Sequence, residues 1–462
     1  MSGRAADVKG AEAVPMRADE RCVVQTIERD APLPAHGSAR VLGAKAWNLA
    51  RMAALGLPVP PAFVIGTGWC AQSNGIRSHH WLPALETLER SCRLRLGDPR
   101  HPLLVSVRSG APVSMPGMME TLLNVGLTEE TLPGFVRITG HPRLAWDAYR
   151  RLIAGYGETV AEIDAAHFEE DLEVLRGALD ERELDFATLR ELSRRHLATY
   201  QREAGEAFPQ NAHEQLRQAI AAVMASWQRE KAVTYRRLHG IDDDLGTAVI
   251  VQRMVFGNAG GVSGAGVGFT RDPSSGERRP WVDFLFNAQG EDVVSGRRSA
   301  LGHDELASVA PAVWQALLEL VGLLERNFGD MQDFEFTVQH GQLYLLQTRN
   351  GKRTPLAAAR IALDLMDEGV IDAGTAARRT HGLDAAALTQ RHVAASDGTS
   401  IDPVARTLTL AGRLLHEGAL ITLDGNEGTI YLGATKIVES VPQEILTCLE
   451  GLRCGQSMAS GG

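Results

Sequence analysis

Three groups of residues in this chain have types and spacings suited to handling a polyanion. The first is Arg108, which stands where the apolar run Leu103-Leu104-Val105-Ser106-Val107 enters the small-residue stretch Ser109-Gly-Ala-Pro-Val-Ser-Met-Pro-Gly-Met-Met-Glu120. Its planar guanidinium fits anion oxygens. Gly110 and Gly117 allow backbone N–H groups to approach an anion closely, while Pro112 and Pro116 limit how far the loop wanders. The second is Lys45, two residues after Gly43 near a helix start, where an ammonium and the positive end of the helix dipole would act together.

The third is a pair of alternating runs, Asp333-Phe-Glu-Phe-Thr-Val338 and Leu343-Tyr-Leu-Leu-Gln-Thr-Arg349, separated by Gln339-His340-Gly341-Gln342. Alternation puts Asp333, Glu335 and Thr337 on one face and Phe334, Phe336 and Val338 on the other. A three-residue loop, Gln339-His340-Gly341 with Gly341 left-handed, sets position 333 opposite 347 and 335 opposite 345. Asp333, Glu335, Gln347 and Arg349 then share a face. A two-residue turn would split them across the sheet. Oxygen ligands on adjacent strands suit Mg²⁺ bound to nucleotide phosphates, with Arg349 balancing charge on a transferred group.

Bulk properties narrow the alternatives. A chain of 462 residues is long enough for two or three domains. Charged residues make up 23% and the formal net charge is −10, which disfavours nucleic acid or an acidic membrane as the main partner. The five cysteines, Cys22, Cys70, Cys92, Cys448 and Cys454, form no CxxC pair and no metal-ligand spacing with histidine. A reducing, cytoplasmic setting follows as the expectation. The opening stretch lacks the apolar core of a signal peptide, and no apolar run reaches membrane-spanning length.

The pattern along the chain predicts an α+β fold. Residues 1–21 read as a disordered leader. A helix over 43–55 and a strand over 103–107 open a first subdomain, 22–240, whose residues 143–240 are mostly helical. Strands and tight turns dominate a second subdomain, 241–370, interrupted by a helix over 304–327 and followed by one over 354–369. The remainder, 371–462, is alanine-rich until short alternating runs over 408–433 suggest a few strands.

The stretch VSVRSGAPVSMPGMMETLLNVGL resembles the glycine-rich nucleotide loop of the pyruvate, phosphate dikinase family and, more distantly, of phosphoenolpyruvate synthase. Further blocks are similar in the family's order: VLGAKAWNLARMAALGLPVPPAF, AWDAYRRLI, YRRLHGIDDDLGTAVIVQRMVFGN, GVGFTRDPSSGE, NAQGEDVVSG and DMQDFEFTVQHGQLYLLQTRNGKRT. The resemblance implies an ATP-grasp nucleotide-binding domain, two subdomains around a cleft, over roughly residues 22–370. ATP and Mg²⁺ are its implied cofactors. It assigns Lys45, Arg108 and Arg349 to the phosphates as catalytic groups, with Ser109, Gly110 and Gly117 from the loop. It assigns Asp333, Glu335 and Gln347 to the metal. It also implies that the backbone near Gln252, Met254 and Val255 meets the adenine edge, and it draws Thr270 and Arg271 toward phosphate or substrate. Glu291, in Asn287-Ala-Gln-Gly-Glu291, would help hold ribose or the substrate side of the cleft. Ala44 departs from the family's second glycine before the lysine. Met118 and Met119 read as apolar anchors for a lid rather than as ligands.

The resemblance breaks after residue 370. Residues 406–434 look like the closing strands of the family's swivelling phosphohistidine domain, yet its Thr-Ser-His-Ala segment is absent: Thr399-Ser400 is followed by Ile401. His381, His392 and His416 lack the carrier setting. The C-terminal part therefore reads as a small remnant of a swivelling β/α domain, and nothing resembles the pyruvate-binding barrel. The expected function is a Mg-ATP-dependent phosphotransferase passing a phosphoryl group to a small molecule or to a histidine on a separate carrier protein. No nucleic-acid or membrane partner is expected, and self-association is compatible with it. The alternatives are a nucleotide-binding partner subunit without turnover and a ligase forming an acyl-phosphate.

Overall fold

The structure is a computed structural model that describes residues 21–35, 37–72, 76–290, 293, 304–393, 399–402, 407–410, 413–416, 421–424, 429–432, 437–440 and 442–459. The leader over 1–20 and Glu291 lie outside the described residues. The chain forms two compact units. One comprises residues up to Val267 with Asp283–Leu317 and Phe334–Arg349, the other Gly268–Val282, Leu318–Asp333 and Asn350 onward.

The first unit is built on a five-stranded antiparallel sheet of β1 (Val24–Ile27), β2 (Ala62–Ile65), β3 (Val105–Gly110), β4 (Thr121–Val125) and β5 (Ala248–Arg253), in the order β1-β2-β5-β3-β4. Its central strand, β5, reads Ala-Val-Ile-Val-Gln-Arg. Three β-branched residues there are buried, as a strand covered on both faces requires. Strand β5 thus belongs with β1–β4 although residues 126–247 separate it from β4.

The helices of this unit are α1 (Ala39–Ala54), α2 (Ser78–Cys92), α3 (Leu132–Thr139), α4 (Pro142–Val160), α5 (Ala165–Arg176), α6 (Phe186–Ala204), α7 (Ala212–Ala225) and α8 (Glu230–His239), of which α1, α2, α4 and α7 lie against the sheet. Capping accounts for several of their ends. The Ser38 hydroxyl accepts from the Val41 N–H, Asp185 and Asn211 accept first-turn N–H groups, and Gly140, Gly205 and Gly240 stop helices in the left-handed region. The continuous apolar spacing over 212–238 predicts one helix. The chain instead breaks it with a 3₁₀ turn, Ser226–Gln228, which buries Trp227.

A second sheet has the order β7-β6-β8-β9, from β6 (Gly264–Phe269), β7 (Trp281–Phe286), β8 (Gln332–Gln339) and β9 (Gln342–Asn350). Phe336 stacks on Phe284, ring centroids 5.7 Å apart, and both are buried. Gly266 makes room for this packing, since a Cβ there would stand 2.5 Å from the Phe336 ring edge.

In the second unit, the helices Pro355–Asp367 and Gln443–Ala459 pack through Leu356, Leu363, Ile445 and Leu449. The expected strands over 408–433 are present as β12 (Thr407–Leu410), β13 (Arg413–His416), β14 (Ile421–Asp424) and β15 (Thr429–Leu432), following β10 (Gln390–Val393) and β11 (Thr399–Asp402). Ser400 sits on β11 opposite Thr409, while His381 and His416 are exposed.

Candidate nucleotide site

The site begins where α1 meets the end of β3. Helical geometry in α1 is interrupted at Gly43, φ 75°, ψ 155°, so a fresh helical turn starts at Ala44 with Lys45 inside it. The Ala44 N–H donates to Ala111 O at 3.0 Å. A Cβ at Gly43 would lie 1.7 Å from Gly110 O. Only glycine satisfies both the dihedrals and this approach, which sets Lys45 beside the arginine-bearing strand. The Gly110 N–H in turn donates to the Thr247 hydroxyl at 3.2 Å.

Arg108, next to the end of β3, lies 3.8 Å from Glu335 through Nη2 and Oε2, with both side chains largely covered. The Gln347 amide donates to the other Glu335 oxygen at 3.2 Å. Asn48, one turn beyond Lys45, donates to Thr348 O at 2.9 Å and so ties α1 to β9. Lys45 is pushed down to about 8, first by burial, then by Arg108 and Arg349, with Glu335 opposing. Lys45, Arg108 and Arg349 thus stand together with Glu335 opposing them, a charge excess that an incoming polyanion would relieve.

A cavity of about 350 Å³ opens at this cluster, lined by Lys45, Arg108, Ser109, Glu335, Gln347 and Arg349 together with the loop after β3. That loop is held from below. Met115 is buried against Trp227 and Ala232, with Met118 and Met119 packed alongside, so the two methionines are apolar anchors as their sequence setting suggests. Its far end is fixed by Glu120, which pairs with Arg229 at 2.9 Å and Lys231 at 2.6 Å. Gly117 remains exposed at the tip in the left-handed region, φ 71°.

A second cavity, about 430 Å³ and predominantly apolar, is lined by Gln252, Met254, Val255, Gln289, Leu123 and Leu346, and it shares Arg108 and Glu335 with the first. The Met254 N–H is engaged with Leu104 O at 2.9 Å, and the Phe256 N–H with the Gln339 side chain at 2.8 Å. The Gln252 side-chain amine donates to Pro60 O.

Three expectations need correction or restriction. The β8–β9 turn is the two-residue kind, with His340 (φ 50°) and Gly341 (φ 77°) both left-handed, not the three-residue loop. Gln347 still reaches Glu335 because the buried–exposed alternation of β9 fails at Gln347 and Thr348, which are both buried. Thr270 is not available as a phosphate ligand. It is 2% exposed and its hydroxyl is given to Glu325 at 2.8 Å, while Arg271, 0% exposed, is neutralised by Glu325, Asp364 and Glu368 inside the second unit. Asp333 lies two residues before Glu335 on β8, half-buried, in the segment belonging to the second unit.

Among the described residues, no three His, Cys, Asp or Glu side chains gather as a metal cage. Glu335 and Gln347 fit a Mg²⁺ that takes part of its coordination from phosphate oxygens, which is how this ion is usually held. Asn48, Thr247 and Glu120 went unnoticed in the sequence. Their partners lie 300, 137 and about 110 residues away, and no local pattern signals such pairings.

An apolar slot joined to a cationic pocket under an anchored glycine loop defines a nucleotide-binding domain in a mixed helix-and-sheet protein. Comparison with known proteins shows what this domain is similar to. Residues 82–305 match the family described as pyruvate phosphate dikinase, AMP/ATP-binding domain, a span that includes Arg108, the glycine loop and the Gln252–Val255 stretch. The pyruvate, phosphate dikinase of Clostridium symbiosum is 45% identical over 342 residues, 72% of this chain and 39% of that protein. The chloroplastic enzyme of Mesembryanthemum crystallinum is 44% identical over 350 residues, 74% of this chain and 37% of its own length. Pyruvate, phosphate dikinase 2 of Oryza sativa subsp. japonica is 44% identical over 341 residues, 72% and 38%. The chain thus matches the AMP/ATP-binding domain of pyruvate, phosphate dikinases over residues 82–305 and spans about two fifths of the length of these relatives. No helix among the described residues is long and apolar enough to cross a membrane.

Proposed function

We propose that this chain is a Mg-ATP-dependent phosphotransferase module that passes a phosphoryl group to a small molecule or to a histidine on a separate carrier protein. The observation that carries the reading is the sharing of Arg108 and Glu335 by an apolar cavity and a cationic one. A nucleoside in the first places its phosphates in the second. The fold proposed is the ATP-grasp type, with β10–β15 part of a remnant of a swivelling domain.

Each group then has a physical role. Lys45, Arg108 and Arg349 offset the phosphate charge and orient the terminal groups for in-line displacement. The loop that carries Ser109, Gly110 and Gly117 closes over the phosphates, and the main chain at Met254 and Val255 meets the purine edge. Asp333, Glu335 and Gln347 would hold Mg²⁺, whose charge would offset that of the phosphates. The chemistry assigned to the protein is positioning and charge stabilisation, with no protein nucleophile.

The test is product identification after incubating the full chain with Mg-ATP labelled separately in its β and γ phosphates. Reactions would contain inorganic phosphate or the histidine-carrying domain of a dikinase relative. AMP with phosphoryl transfer indicates dikinase-like chemistry, and ADP a simple kinase. Absence of any chain-dependent nucleotide product with either acceptor would count against turnover.

A further inference from the structure

The glycine loop that lines the cationic cavity has a closed neck. The Ser109 N–H donates to Glu120 O at 3.4 Å, the Gly110 N–H donates to the Thr247 hydroxyl, and Arg108 stands opposite Thr121 in the β3–β4 register. Residues 111–119 therefore leave and return between β3 and the pair Glu120-Thr121. Where Glu120 is held decides where the loop starts its return and from what platform Arg108 reaches the cavity.

Two cations hold it. Arg229 Nη1 lies 2.9 Å and Lys231 Nζ 2.6 Å from the same carboxylate oxygen, and the Glu120 side chain is only 19% exposed. Arg229 is itself fixed, since its Nη2 donates to Thr159 O at 2.7 Å and to Glu162 at 3.2 Å around the C-terminal end of α4, the helix that lies against β4. Lys231 is half exposed. The same segment, 226–232, also seats the middle of the loop, because Met115 is buried against Trp227 and Ala232. Trp227 is fastened in turn by its ring N–H, which donates to Asp243 O at 3.1 Å, and by the Arg236 guanidinium 4.0 Å over the ring. One stretch thus grips the loop twice, at its middle by packing and at its end by charge.

We infer that Glu120 is a positioning residue for the phosphate end of the nucleotide, a latch on Arg229 and Lys231 that holds the glycine loop and Arg108 in place before the ligand arrives. The inference rests on the nucleotide reading of the two cavities. A loop ordered in advance loses less freedom on binding, so the latch acts as affinity, and a displaced Arg108 would meet the phosphates poorly. The apolar cavity is held by other groups: Gln252 by Pro60 O and the Met254 N–H by Leu104 O. The latch therefore serves the phosphates and not the nucleoside. Its sign is distinctive. Glu120 is an anion near a site for a polyanion, so a direct electrostatic role would make its neutralisation tighten nucleotide binding, whereas a positioning role makes neutralisation weaken it. Local sequence carries no trace of the pair, because Glu120 and Arg229 are 109 positions apart.

Equilibrium calorimetry on the full chain tests it, with Mg-ATP and adenosine as separate probes. Glu120→Gln, which keeps the shape and removes the charge, should weaken Mg-ATP by on the order of ten-fold and adenosine by less than about two-fold. Lys231→Met should weaken Mg-ATP by about three-fold and spare adenosine. Combined with Glu120→Gln it should add nothing, because the charge it served is already gone. Lys231 is at the surface, so its variant decides the matter even where Glu120→Gln fails to fold. Mg-ATP affinity that is unchanged or tighter in Glu120→Gln overturns the inference. So do equal losses for Mg-ATP and adenosine, which would mark a general structural defect, and additive losses in the double variant. Failure of the wild-type chain to bind Mg-ATP overturns the nucleotide reading itself, and this inference with it.

Discussion

Lys45 should make nucleotide binding depend on pH in a specific direction. In the free chain its ammonium is pushed down to about 8 by burial and by Arg108 and Arg349, with Glu335 pulling the other way. These are the charged groups that reach it from β3, β8 and β9. A triphosphate beside it favours the charged form, so binding raises this value and draws in a proton. Below pH 7 the lysine is already charged and affinity is flat. At pH 8 it is about half protonated, and at pH 9 about one-tenth, so the dissociation constant should weaken about two-fold and then about ten-fold. Titration calorimetry at pH 8 in buffers of different ionisation enthalpy should give proton uptake of about half a proton per nucleotide. Lys45→Met should bind more weakly at pH 7 and lose the slope above pH 8. A flat affinity between pH 7 and 9 in the wild-type chain, with no proton uptake, would refute the placement of Lys45 at the phosphates.

Other substitutions probe the supports of the site. Gly43→Ala forces a side chain into a positive-φ position and onto Gly110 O, so urea unfolding should show a loss of about 2 kcal/mol or more, with nucleotide binding abolished. Met115→Ala leaves a void over Trp227 beneath the glycine loop. Limited proteolysis should then cut within 111–120 faster than in the wild type, and a loss of about 2 kcal/mol is expected. Glu325→Ala strips the buried Arg271 of its bidentate partner and should cost about 3 kcal/mol in thermal or urea unfolding; a loss under about 1 kcal/mol would contradict the internal role assigned to that pair.

The parts of the site that sequence made legible are those set by local pattern. Arg108 at the mouth of an apolar strand, Lys45 just past a glycine, and the alternation that puts Glu335 opposite in face to Phe334 and Phe336 all follow from periodicity and the properties of glycine. The hairpin shows the limit of this reasoning. Turn length is not written in the alternation, because the two left-handed residues His340 and Gly341 make the turn by themselves, and Gln347 meets Glu335 where the alternation of β9 is interrupted. Thr270 and Arg271 looked available because exposure is not written in a Thr-Arg-Asp-Pro turn. Their carboxylate partners, Glu325, Asp364 and Glu368, come from distant helices.

The central claim is that Lys45, Arg108, Glu335, Gln347 and Arg349 surround the phosphates of a Mg-bound nucleotide. It is tested most directly by titrating ATP into the wild-type chain, Arg108→Ala and Glu335→Gln, each with Mg²⁺ and with a chelator. The account predicts metal-dependent binding in the wild type, weakening of about ten-fold or more in Arg108→Ala, and loss of the metal dependence in Glu335→Gln. Equal affinities in all three proteins, unchanged by the chelator, would contradict it.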